Sequence, residues 1–67
     1  MQSIIEARKA LGLTQEQLAK MVGVTQGTIA QWENGMTHPA FDKLRKLSRV
    51  LGITVDDMVG EEAEHAS

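Results

Sequence analysis

TQEQLAKMVGVTQGTIAQWENG, residues 14–35, is the stretch that decides the fold. It reads as two short helices joined by a tight turn. Thr14 is an N-cap residue, and Gln17, three positions on, completes a capping box. The first helix carries Leu18, Ala19 and Val22 on one face, the spacing of a helical apolar stripe. Gly23 stops it, because glycine adopts positive φ without a steric penalty. Val24 follows, then a second cap at Thr25, and the next helix sets Ile29 and Trp32 on one side before Asn34 and Gly35 close it. Two helices separated by so few residues must meet at a steep angle, which is the geometry of a helix-turn-helix.

The rest of the chain supplies what such a pair needs to pack against. Residues 2–11 read as a helix with Ile4, Ala7 and Leu11 in phase, ended by Gly12 with Leu13 as a contact past the cap. Residues 35–40, GMTHPA, read as a loop in which Pro39 biases His38 toward an extended shape. A fourth helix spans 41–51, its apolar stripe Phe41, Leu44, Leu47 and Leu51 set against Lys43, Arg45, Lys46 and Arg49. Gly52 ends it, and Thr54 with Asp57 forms a further capping box opening a short fifth helix. From Gly60 onward EEAEHAS has no stripe and too little apolar surface to offset the entropy of ordering, so residues 60–67 read as a disordered acidic tail behind a domain of residues 1–59. No run has the period of a strand. The expectation is an all-α, compact five-helix domain.

Composition narrows the function. The chain has 67 residues, near the lower limit for a domain that folds alone, and only one Trp and one Phe. It has no cysteine, which excludes disulfides and thiolate metal sites and points to a reducing cytoplasm. No apolar run approaches the roughly 18 residues of a membrane span. The net charge of -2 hides a gradient. Residues 1–55 hold all seven Lys and Arg against four acidic residues, while residues 56–67 hold five acidic residues and no basic one. A mildly basic body with an acidic end is compatible with nucleic acid, since distribution matters more than pI.

LTQEQLA, VGV with its turn glycine, TQGTI, WENG, the Pro39 loop and LSRVLGITVDDM together resemble the DNA-binding domain of the lambdoid phage repressor and Cro family, the XRE family. The resemblance covers residues 4–59. It implies a lambda-repressor-like fold with the helix-turn-helix in helices 2 and 3, and a bacterial or phage-encoded regulator. It also implies a homodimer on a palindromic double-stranded operator, acting as a repressor with its second motif helix, residues 26–33, in the major groove. The same single-domain layout occurs in Cro-like regulators, antitoxins and restriction-modification controllers.

The residue types give physical content to that expectation. With Ile29 and Trp32 inward, Gln26, Gly27, Thr28 and Gln31 face outward. The Gln26 amide can engage N6 and N7 of adenine together, and it matches a base-reading glutamine of the family. Thr28 offers a methyl to thymine or a hydroxyl to phosphate, and Gln31 reaches the edge of the site. Gly27 departs from relatives that carry a second reading side chain there. It can read nothing itself but allows close approach, at about 0.8 to 1 kcal/mol of helix propensity relative to alanine. Gln15, at a helix N-terminus beside Thr14, suits a phosphate, as its family counterpart does. Thr25, Thr37, His38 and Lys43 are the further backbone candidates. The resemblance pairs Arg8 with Glu33 as an ion pair between the first helix and the recognition helix. Leu51, Val55, Met58 and Val59 exceed what a terminal helix in so small a domain needs to bury, and read as the dimer surface.

An enzyme is not expected. His38 and His65 stand far apart, and no nucleophile elbow, phosphate-binding loop or zinc-binding helix motif occurs. No metal, cofactor or small-molecule ligand is implied. The alternative class is a protein-interaction module, such as an antitoxin or a helical adaptor without DNA binding, and Gly27 and the low body charge favour it.

Overall fold

The computed structural model describes residues 2–58. The expected Val59 contact and the acidic 60–67 tail lie outside the described residues. Four helices are bounded within them: α1 Gln2–Ala10, α2 Gln15–Val22, α3 Gln26–Glu33 and α4 Phe41–Leu51. A fifth, α5, is helical over 55–58, where the description ends. The described residues contain no strand, and the architecture is all-helical as the apolar periods predict.

Local chemistry sets the helix starts. Thr14 Oγ1 accepts from the Gln17 N–H at 3.0 Å, and Gln17 Oε1 returns the bond to the Thr14 N–H at 2.8 Å. Thr25 caps α3 through a 3.2 Å bond from the Thr28 N–H. Thr54 and Asp57 make the same reciprocal arrangement before α5. Each capping side chain satisfies a donor that the first helical turn leaves without a backbone partner. α4 starts without one: Ala40 occupies its cap position and gives no side-chain bond.

The turn between α2 and α3 rests on Gly23, whose φ of +87° is accessible to glycine at little cost. The N–H groups of Gly23 and Val24 both donate to Ala19 O, at 2.8 and 2.9 Å, so the chain turns within three residues and α3 packs against α2. Ala19, on α2, is buried in the core.

The core runs through every helix. Ile4 of α1, Leu18 and Val22 of α2, Ile29 and Trp32 of α3, and Leu47 and Leu51 of α4 enclose Met58 from α5. Two stripes are shorter than their periods predict. Phe41 is 66% exposed and Leu11 52%. Burial fades toward the start of α4, from Leu47 through half-buried Leu44 to exposed Phe41. Leu11 falls beyond α1, whose last helical residue is Ala10, so it rolls onto the surface.

The dimer reading of the last apolar residues needs correction. Met58 is fully buried and Leu51 is 5% exposed, both inside this domain's own core, and Val55 is half-buried. In so small a domain α5 closes the bottom of the core, so Leu51 and Met58 are not free surface for a second copy. Pro39, read only as a loop residue, is buried and pins the α3–α4 connection.

Candidate nucleic-acid interface

The site grows from one buried charge. Glu33, at the end of α3, is 9% exposed. A carboxylate there needs compensation, since an unpaired buried charge costs several kcal/mol. Arg8 of α1 supplies it as a fork: Nε donates to Oε2 at 2.7 Å and Nη2 to Oε1 at 3.2 Å. The third guanidinium nitrogen, Nη1, donates to Leu13 O at 2.9 Å, fixing the chain just ahead of α2. Burial alone would push the Glu33 carboxyl up. The bonds from Arg8 and Gln15 and the Arg8 charge outweigh it and hold the group below its ordinary value.

The second donor to Glu33 carries the arrangement to the surface. Gln15 Nε2, from the start of α2, donates to Glu33 Oε1 at 3.0 Å. Its Oε1 accepts from Gln26 Nε2, at the start of α3, at 2.7 Å. One continuous set of hydrogen bonds therefore runs from α1, through the end of α3 and the start of α2, to the first residue of α3. Hydrogen bonds of this kind, in a partly dry setting, rigidify what they join. The donor count leaves capacity at the outer end. Gln26 has spent one of its two amide hydrogens and keeps its carbonyl oxygen, while Gln15 keeps one amide hydrogen.

The remaining candidates sort by what already holds them. Thr25 is exposed and occupied as a cap, and Thr28 Oγ1 lies 2.9 Å from Thr25 Oγ1, turned back toward the helix start. Gln31 accepts a long, 3.5 Å bond from Thr37 Oγ1, tying the outward face of α3 to the following loop. His38 is exposed in that loop, and Lys43 is half-buried in the first turn of α4. Gly27 is exposed, and a Cβ placed on it would meet only Thr25 Oγ1, at 4.0 Å. Gln15, Gln26, Thr28 and Gln31 are thus gathered on the α2 and α3 surface. Lys43 and His38 border it by their positions in the chain. Farther along α4, Arg45, Lys46 and Arg49 frame a shallow hollow of about 170 Å³ with Asp42.

The Gln15–Gln26 and Gln15–Glu33 contacts join residues 11 and 18 positions apart. Spacing along one helix cannot reveal them. A sequence signal was nonetheless present: both glutamines directly follow a capping threonine, so both stand at helix starts that the tight turn brings together.

Among the described residues no group of His, Asp and Glu could hold a metal ion, and no helix is long and apolar enough to cross a membrane. The chain matches the helix-turn-helix family model HTH_3 over residues 4–58. It is 49% identical over 49 residues to a helix-turn-helix-type transcriptional regulator of Methanothermobacter thermautotrophicus, covering 73% of this chain and 71% of that protein. It is 36% identical over 58 residues to the transcriptional activator BcrR of Enterococcus faecalis; the match covers 85% of this chain but 28% of the activator. The fold superposes on the P22 c2 repressor, solved in complex with a synthetic operator, with a TM-score of 0.80 and 40% identity, covering 82% of this chain and 83% of that one. These relatives are regulators and repressors rather than enzymes. With a family model spanning nearly all of its described residues, the chain belongs to the Cro/C1-type (XRE) helix-turn-helix family.

Proposed function

We propose that this chain is a sequence-specific double-stranded DNA-binding regulator, acting as a repressor and as a homodimer on a palindromic operator, with α3 in the major groove. The observation that carries the reading is Gln26. It opens α3, is exposed, and is held by Gln15 with an amide hydrogen and a carbonyl oxygen to spare. Those are the two groups a glutamine needs to meet N7 and N6 of adenine. The spare Gln15 hydrogen, at the start of α2, suits a phosphate oxygen. Thr28, with its hydroxyl turned back, has its methyl left for a partner. Lys43, Thr37, His38 and Gln31 complete the rim. The likeness to a repressor solved in complex with a synthetic operator supports binding to operator DNA.

The homodimer follows from the size of the reading surface. A module this small makes a limited, mainly positioning interface, and a second copy doubles the bases read. Its surface is not Leu51 and Met58, which the core occupies.

A selection from random duplex DNA with the purified protein tests the reading. The expected product is a palindrome with half-site centres about 34 to 36 Å apart, or a multiple of that. Sedimentation of the complex should give two protomers per site. Failure to enrich any sequence at low salt would move the assignment to a protein-interaction module.

A further inference from the structure

We propose that the hollow framed by Arg45, Lys46 and Arg49 on α4 is a docking site for the chain's own acidic segment, through Glu61, Glu62 and Glu64. While seated, the segment withholds those cations from DNA. The seat itself is independent of the function proposed above, and its effect on DNA rests on that function.

Asp42, Arg45, Lys46 and Arg49 recur at i, i+3, i+4 and i+7, one face of α4, turned away from the stripe that buries Leu47 and Leu51. All four are exposed, and together they frame an open hollow of about 170 Å³. Among the described residues none of the three cations is paired with a carboxylate, Asp42 included. Arg45 and Arg49, one turn apart, repel each other. Lys46 extends toward the α2–α3 turn, where its Nζ lies 4.0 Å from the position a Cβ on Gly23 would take. Three cations beside one carboxylate leave an excess of positive charge that nothing on this face offsets.

The other described cations are not grouped in this way. Arg8 is engaged by Glu33, Lys20 is the one cation of α2, and Lys43 is half-buried and does not line the hollow. Glu61, Glu62 and Glu64 follow α5, and no Lys or Arg occurs after Arg49. Met58 is buried in the same core as Leu47 and Leu51, so the segment begins at a core that α4 helps to form. Residues 59–64 can span about 20 Å when extended. The whole of α4 is about 16 Å long. Arg45 and Arg49 are about 6 Å apart along the helix axis, and Glu61 and Glu64 about 10 Å apart in extended chain. Three carboxylates can therefore meet three cations. Exposed ion pairs are individually weak. Three of them on one tether act at a high effective concentration, which favours the chain's own segment over a second copy's.

The chain has no cysteine, so a nitroxide can be attached at Ala66→Cys alone. In the isotope-labelled full chain at low salt, it should broaden the backbone amide signals of residues 42–49 and of the α2–α3 turn. That broadening should fade as salt is raised, and be lost when Arg45, Lys46 and Arg49 are all changed to Gln. The salt titration reads the contact without any change to α4. Broadening spread evenly over the surface, or unmoved by salt and by the triple variant, would overturn the proposal. Equal broadening of a labelled chain by the nitroxide of an unlabelled one in a mixed sample would also overturn it, since the segment would then sit on another copy. On random duplex at low salt, changing Glu61, Glu62 and Glu64 to Gln should tighten binding a few-fold, and by less once the three cations are also neutralised. An equal gain in both backgrounds would overturn the withholding of those cations. Absence of any DNA binding would overturn the function proposed above, with the nitroxide result still deciding the seat.

Discussion

Arg8 and Glu33 lie 25 positions apart and meet as a two-point fork, with side-chain exposures of 12% and 5%. Removing one partner leaves the other charged and mostly buried. Arg8→Ala should therefore cost about 3 to 5 kcal/mol of stability, read by denaturant titration. The pair also sets a pH dependence. Glu33 has a folded pKa lowered below its ordinary value of 4.5, so the unfolded chain binds its proton first as pH falls. Its contribution is fully present above about 4.5 and is lost as pH drops through the lower folded value. Glu33→Gln should be less stable at pH 7 and lose less stability between pH 5 and 3 than the wild type. An identical acid profile in the two proteins would contradict the pairing energetics. At this scale the sequence was only partly legible. Arg8 with Glu33 entered through resemblance rather than spacing. The bridge through Gln15 was not visible, because three side chains from separate helix ends form it. The bridge changes what Gln15→Ala should do. Taken alone, Gln15 as a phosphate contact predicts equal weakening on specific and random DNA. As the group that also holds Gln26, its loss should weaken binding to the enriched site more than to random duplex, in a filter or fluorescence titration.

The helices were legible where local chemistry is strong. Caps at Thr14, Thr25 and Thr54 and the turn at Gly23 follow from residue types whose preferences are set within four positions. Apolar phase was less decisive, because a stripe gives a direction and not the reach of the neighbouring helix. Phe41 and Leu47 share a stripe, yet one is exposed and the other fully buried. Leu47→Ala should cost about 2 to 5 kcal/mol, and Phe41→Ala less than about 1 kcal/mol, in chemical denaturation. A comparable loss for both would mean that α4 packs along its whole length. The two glycines of the motif should also respond in opposite directions. Gly23→Ala forces a left-handed residue to carry a Cβ and should cost about 1 to 2 kcal/mol, whereas Gly27→Ala should stabilise by up to about 1 kcal/mol.

For the molecule as a whole, the sequence pattern was enough for the five-helix, all-α arrangement, but it could not say which apolar residues serve this chain's core and which serve a partner. Leu51 and Met58 looked surplus to a terminal helix and are instead its anchor, since a domain of this size needs every large side chain it has. Charge acts at longer range. Five acidic residues in the last twelve stand against a basic body. Removing residues 60–67 should leave helicity unchanged and tighten DNA binding modestly at low salt, with the difference shrinking as salt rises. Loss of the fold on that truncation would show the segment to be structural. The central claim is that α3 reads bases through a pre-positioned Gln26. The most direct test is a paired titration of wild type and Gln26→Ala on the enriched palindrome and on random duplex. Gln26→Ala should lose about 1 to 3 kcal/mol per half-site contact on the palindrome and almost nothing on random DNA. Equal losses on both duplexes, or none on either, would contradict the account.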